Sequence, residues 1–193
     1  MRVSRAQEAE NREKLVRAAS RLFREKGYDG VGVAEISKQA DLTQGALYAQ
    51  FESKQALAAE AMRFALKEVK PEQGPEEGGA SLKRRIERYL SPAHRDGIAH
   101  GCPMGAAGSE TSRQPKSVSA AYTEGFREMV KAIEGSLSGP DAHRKAIAMV
   151  ASMIGTLGVA RAVRKAAPAL SDQILESARA QLIECGLGGN TPR

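Results

Sequence analysis

Cysteine is nearly absent from this chain. Cys102 and Cys185 are the only two among 193 residues. That argues against a disulfide scaffold and makes a reducing compartment, the cytoplasm, the default expectation. There is no Trp, and with four Tyr and four Phe the aromatic groups are few. No apolar run approaches the roughly 18 residues of a membrane span, so no membrane partner is expected. The opening MRVSRAQEAENREK holds no apolar core segment, which argues against a signal peptide. Catalytic patterns are missing as well. There are no paired carboxylates assignable to a cleft, no Gly-rich phosphate loop at a strand–helix junction, and no Ser-His-Asp constellation. No enzyme and no cofactor are expected. His94, His100 and Cys102 lie close in sequence, but their spacing matches no strong zinc pattern and a fourth ligand is not evident. No metal is expected either.

Positive charge is in excess. The formal net charge is +6 and the isoelectric point about 9.5, which permits a polyanionic partner without proving one. Its placement says more: residues 1–26 carry eight Lys or Arg against four Asp or Glu. Residues 1–7, with Arg2 and Arg5, read either as a disordered terminus or as a basic arm reaching DNA. From about Glu8 to Lys26 the residues Leu15, Val16, Ala19, Leu22 and Phe23 form an apolar stripe of helical period. Arg12, Arg17, Arg21 and Arg24 lie largely off it and read as solvated face. Gly27 ends this helix, and Tyr28 is expected to pack back onto the core.

The stretch Val33–Phe51, VAEISKQADLTQGALYAQF, reads as two short helices joined by a tight turn. Val33, Ile36 and Ala40 recur at helical spacing. Asp41 tolerates the left-handed backbone such a turn needs, and Thr43 can cap the second helix. Ala46 and Leu47 then face inward. Gln44, Gly45 and Tyr48 stay near the exposed N-terminal end. This is the layout of a helix-turn-helix whose second helix enters the major groove.

Residues 10–55 resemble the DNA-binding domain of the TetR family of bacterial transcription repressors. The resemblance rests on Leu22-Phe23-Arg24-Glu25-Lys26-Gly27-Tyr28, Val33-Ala34-Glu35-Ile36, Leu42-Thr43-Gln44-Gly45-Ala46-Leu47-Tyr48 and Phe51-Glu52-Ser53-Lys54 with Leu57. Three positions depart from the usual pattern. Gly32 stands where a capping Ser or Thr is common, Ser37 where Ala is, and Asp41 where Gly is. Position by position, the resemblance implies that Thr43 bonds a phosphate, and that Gln44 meets a base edge, where its amide suits adenine. It further implies that Gly45 and Ala46 let the backbone approach the groove, and that Tyr48 and Lys54 reach further phosphates. It implies an all-α fold of about nine helices. Residues 1–52 would form a three-helix DNA-binding domain, and residues 53–193 a helical effector-binding and dimerisation domain. The expected partners are double-stranded DNA, a second copy of the chain and a small-molecule effector.

Beyond the motif, Ser53 to about Val69 reads as a helix apolar on most sides, joining the two domains. Lys70–Gly79 reads as a mobile loop. Residues 80–91 form a helix with Leu82, Ile86, Tyr89 and Leu90 inward, ended by Pro92, and residues 93–103 are irregular. Pro103 suits a first helical turn. The run Gly101-Cys102-Pro103-Met104 resembles a feature of one TetR subgroup. Cys102 at a helix start reads as an electrophile sensor or as a small buried residue lining the effector pocket or core. Tyr89, Cys102, Met104, Tyr122, Phe126 and Met129 are the candidate effector-pocket residues, suited equally to an ordinary core. Two long helices, about 140–165 and 168–185, resemble half of the family's four-helix dimer interface, with Ile147, Val150, Ala151, Ile154, Gly158, Ile174 and Ala178 as candidates. A helical adaptor that binds protein and no ligand is the alternative of a different class.

Overall fold

In a computed structural model the described residues are 4–68 and 79–188. Among them are ten α-helices, one 3-10 turn and no strand. The helices are α1 (Arg5–Lys26), α2 (Val33–Gln39), α3 (Gln44–Gln50), α4 (Lys54–Glu68), α5 (Gly79–Tyr89), α6 (Pro92–Asp96), α7 (Met104–Thr111), α8 (Lys116–Glu134), α9 (Ala142–Val163) and α10 (Pro168–Leu187). The expected loop lies, at 70–78, outside the described residues, as does Arg2.

Several boundaries differ from expectation for local reasons. The first helix starts at Arg5, not Glu8, because Ser4 Oγ accepts from the Gln7 N–H at 3.2 Å and caps it. Pro92 starts a helix as well as following one. Ser91 Oγ accepts from the His94 N–H at 3.1 Å, and Pro92 occupies the first turn, where its missing N–H costs nothing. That short helix and the 3-10 turn Ile98–His100 replace the irregular segment.

Contacts divide the chain into two compact units. Residues 1–70 and 98–125 form one, and residues 71–97 and 126–193 form the other.

In the first unit α1 packs against α2, α3, α4 and α7. Leu15, Ile36, Leu47 and Leu57 are fully buried. Ala107, Val118 and Ala121, from much later in the chain, complete the same core. Helix α8 approaches α4 so closely at Gly125 that a Cβ there would stand 2.4 Å from Leu66 Cδ1. Two arginines expected on the solvated face are structural. Arg24 is only 6% exposed. Its guanidinium donates to the Ser20 carbonyl (3.1 Å), the Gly101 carbonyl (3.2 Å) and Glu68 (3.2 Å), which satisfies the charge that burial would otherwise strand. Arg12 bonds the Gln50 carbonyl at 2.7 Å, pairs with Glu60, and stands 4.2 Å over the Phe51 ring.

In the second unit α10 packs along α9 and α5. Leu82, Ile86 and Leu90 recur every four residues, all fully buried. A Cβ on Gly186 would meet Leu82 Cδ2 at 2.5 Å, so the bare glycine sets the approach of α10 to α5. Arg95, also buried, ties α6 to α10 through Ser171 (2.9 Å) and Asp172, while Ser171 Oγ donates to the Ala160 carbonyl of α9 at 2.7 Å. Among the described residues one helix, α9, is long and apolar enough by composition to cross a membrane, but it holds no unbroken apolar run of that length, as expected from the sequence. It is uncharged from Ala146 to Ala160 and reaches a mean hydropathy of 1.7 over 18 residues. Ser152, Gly155, Thr156 and Gly158 interrupt any strict apolar run. Only 33% of that window is buried.

Candidate nucleic-acid interface

The turn between α2 and α3 closes as a Schellman motif. The Leu42 N–H donates to the Ser37 carbonyl (2.9 Å) and the Asp41 N–H to the Lys38 carbonyl (3.1 Å). Asp41 takes φ 55°, the left-handed conformation expected of it. Thr43 follows in extended backbone (φ −83°, ψ 158°), and its Oγ1 accepts from the Ala46 N–H at 3.1 Å. The hydroxyl hydrogen is left to donate outward, for example to a phosphate oxygen. Leu47 and Phe51 anchor α3 from beneath. Gln44, Gly45 and Tyr48 are exposed, Tyr48 to 56%. Gly45 faces open space, where an added Cβ would meet only Thr43 Oγ1 at 3.8 Å. Ala46 is half-buried. The far end of α3 is held by Arg12 through the Gln50 carbonyl. Sequence reasoning missed this support, because a bond across 38 residues leaves no local signal.

Lys54 starts α4, whose first turn is capped by Ser53 Oγ accepting from the Ala56 N–H at 3.1 Å. The Lys54 ammonium donates to the Tyr28 carbonyl and lies 5.9 Å from the Phe23 ring centre. It is half-buried, with further N–H donors for another acceptor. Much of the positive charge on α1 is locally paired, Lys14 with Glu10, Arg17 with Glu13 and Arg21 with Glu25. Lys26 pairs with Glu35 of α2.

The six effector-pocket candidates fall three to each unit. In the first, Cys102 and Met104 are buried, and the half-buried Tyr122 hydroxyl donates to the Met104 carbonyl at 3.5 Å. Burial pushes the Tyr122 phenol pKa upward. In the second, Tyr89, Phe126 and Met129 are half-buried against the core, and Tyr89 meets the His94 ring edge-on at 4.7 Å. A cavity of about 10 Å³ in the first unit is lined by Phe23, Arg24, Tyr28, Met62 and Pro103 among others; that is room for one water. Among the dimer candidates, Ile147 and Ala151 are exposed, while Ile154, Gly158, Ile174 and Ala178 are half-buried. Val150 is fully buried in its own unit. Gly155, and Val159, which was not singled out from the sequence, extend the exposed line of Ile147 and Ala151 at four-residue spacing.

Residues 15–61 match the model for bacterial regulatory proteins of the tetR family. The HTH-type transcriptional regulator LmrA of Bacillus subtilis is 28% identical over 137 residues, 66% of this chain and 71% of that protein. The HTH-type transcriptional repressor DhaR of a Mycobacterium species is 27% identical over 135 residues, 66% of this chain and 68% of that protein. Among solved structures, a TetR-family regulator from Agrobacterium tumefaciens superposes with a TM-score of 0.75 at 17% identity, covering 92% of this chain and 98% of that one. The reduced form of NemR from E. coli superposes with a TM-score of 0.74 at 20% identity, covering 89% and 94%. At such identities the superpositions speak for the all-helical fold.

Proposed function

We propose that the chain is a transcriptional regulator of the TetR family, a ligand-responsive repressor acting in the cytoplasm as a homodimer on a near-palindromic operator. The observation that carries this is the exposed N-terminal face of α3, where capped Thr43, Gln44, Gly45 and Tyr48 stand clear of the core. Thr43, Tyr48 and Lys54 position the protein on phosphates, and Gln44 reads a base edge while Gly45 and Ala46 allow close approach. Two copies place their recognition helices in successive major grooves, about 34 Å apart.

The homodimer is supported by α9, uncharged from Ala146 to Ala160 yet mostly uncovered there. Ile147, Ala151, Gly155 and Val159 offer an outer face of small and branched residues to a second copy, joined by Ile154, Gly158, Ile174 and Ala178. The effector, with Cys102, Met104 and Tyr122 as candidate contacts in the first unit or Tyr89, Phe126 and Met129 in the second, favours a state that binds DNA less well. DNA and effector then weaken each other by the same factor. The Gly-Cys-Pro-Met run at 101–104 supports assignment to one TetR subgroup. The repressor sense follows the name of the Mycobacterium relative.

The deciding experiment is a selection of bound duplexes from random DNA with wild type and Gln44→Ala in parallel. One near-palindrome, with altered base preference in the variant, is the expected result. Non-specific binding lost at moderate salt by both proteins would reduce the interaction to net charge and end the repressor reading.

A further inference from the structure

The chain passes from α1 to α2 through a turn whose geometry is set from outside it. Gly27 adopts φ 77°, ψ 168°, and Tyr28 follows with its side chain buried against Phe23, ring centres 5.0 Å apart. Neither backbone polar group of Tyr28 is satisfied locally. Its N–H donates to Glu110 Oε2 at 2.9 Å, from α7, 82 residues away. Its carbonyl accepts from the Lys54 ammonium, at the start of α4. A carboxylate and an ammonium from two distant helices thus grip the residue that aims the chain into α2. Gln114 adds an outer tie to Asp29 at 3.4 Å.

We propose that Glu110 is a positioning residue for the recognition helix, and that α7 sets the aim of α2 and α3 through it. Gly27 makes room for this contact, since a Cβ there would stand 2.3 Å from Glu110 Oε1. The start of the same segment is tied to α1 by Arg24 through the Gly101 carbonyl. Met104 and Glu110 are six residues apart on one helix, about 9 Å. A displacement at Met104 therefore reaches the carboxylate through a stiff rod. The Schellman turn fixes α3 to α2, so loss of the grip on Tyr28 changes the presentation of Gln44. A local cap would hold the turn equally well; a carboxylate from α7 makes the turn depend on where α7 is. This extends the DNA-binding reading above and rests on it only for the final step, from α3 to DNA.

The test compares wild type, Glu110→Ala and Glu110→Gln as full-length chains. Amide hydrogen exchange is followed across the molecule. Affinity is measured for the duplex that wild type selects from random DNA. Expected for Glu110→Ala is exchange about tenfold faster at Tyr28 and through α2–α3, with α9 and α10 unchanged, and DNA binding about tenfold weaker. Glu110→Gln keeps an oxygen acceptor and stays near wild type in both. Unchanged exchange in α2–α3 overturns the proposal, as does an equal rise in α9–α10, which marks general loosening. Local loosening with undiminished DNA affinity overturns it too, as does a Gln variant no better than Ala. If wild type selects no duplex, the repressor reading fails, while the exchange data still decide whether Glu110 positions α2 and α3.

Discussion

Helix α2 starts without a side-chain cap, and the protein contains its own template for the repair. Gly32 has φ −90°, ψ 156°, almost the backbone of Thr43, φ −83°, ψ 158°, whose hydroxyl caps α3. A Cβ on Gly32 meets nothing within 4 Å. Gly32→Thr should therefore place its Oγ1 near the Glu35 N–H, as Thr43 does for Ala46 at 3.1 Å. Two effects add. A Thr cap is better than Gly by a few tenths of a kcal/mol. Replacing Gly also removes freedom from the unfolded chain, stabilising by about 0.4–1 kcal/mol. The sum is about 0.5–1.5 kcal/mol. Gly32→Ala is the control, since it stiffens the chain but offers no acceptor and is itself a poor cap. The Glu35 carboxylate is engaged by Lys26, so the reciprocal half of a capping box is not counted. Urea unfolding reads the change as a higher midpoint at constant slope, and amide exchange in α2 localises it. The order Thr, Gly, Ala from most to least stable is also compatible with the cap, because Ala is the poorest of the three there. A Thr variant no more stable than the Ala variant would refute the reasoning.

Four further outcomes follow from particular contacts. Gly27→Ala should cost about 1–3 kcal/mol, because φ 77°, ψ 168° is glycine backbone and the new Cβ would strike Glu110; circular-dichroism melts give the loss. In thiol labelling of the folded protein Cys185, exposed, should react promptly and Cys102, buried, only slowly; equal rates would contradict the burial of Cys102. Burial holds the His94 pKa below its ordinary 6.5, so the unfolded chain takes up a proton first. Stability should be unaffected by this group above pH 6.5 and should fall as pH drops below it, a fall that His94→Gln should blunt in pH-dependent urea titrations. Gly155 faces open space, so Gly155→Leu should leave the helical content of the protomer intact while blocking self-association by α9; sedimentation showing an undisturbed dimer would remove α9 from the interface.

Local chemistry was legible in the sequence and long-range chemistry was not. Asp41 and Thr43 act on backbone within a few residues, so their left-handed turn and cap could be read from residue type. Leu47 followed from period. Arg24 and Arg12 were misjudged, because period says only that they lie off the apolar stripe, whereas their partners, Gly101 and Gln50, are fixed by tertiary packing. Glu110 left no signal at all, being one carboxylate among many until the fold brings Tyr28 to it. In α9 the pattern identified apolar residues but not the covered side. A helix apolar on most sides cannot tell Val150, buried, from Ile147, exposed.

The core of the first unit is assembled from two separated stretches of chain, with Ala107, Val118 and Ala121 packed beside Leu15 and Leu57. On the ribosome this imposes an order of events. When residue 68 has emerged, the helices α1–α4 can form, but the apolar surface that α7 and α8 will cover is still bare. Closure waits for residue 125, which at about 5–20 residues per second is a delay of roughly 3–11 seconds. During that interval the nascent chain exposes sticky surface, a target for chaperones and for neighbouring chains on the same message. A fragment cut after α4 would stay in that half-built condition permanently, and a graft of α1–α4 onto another protein would have to bring residues 98–125 with it.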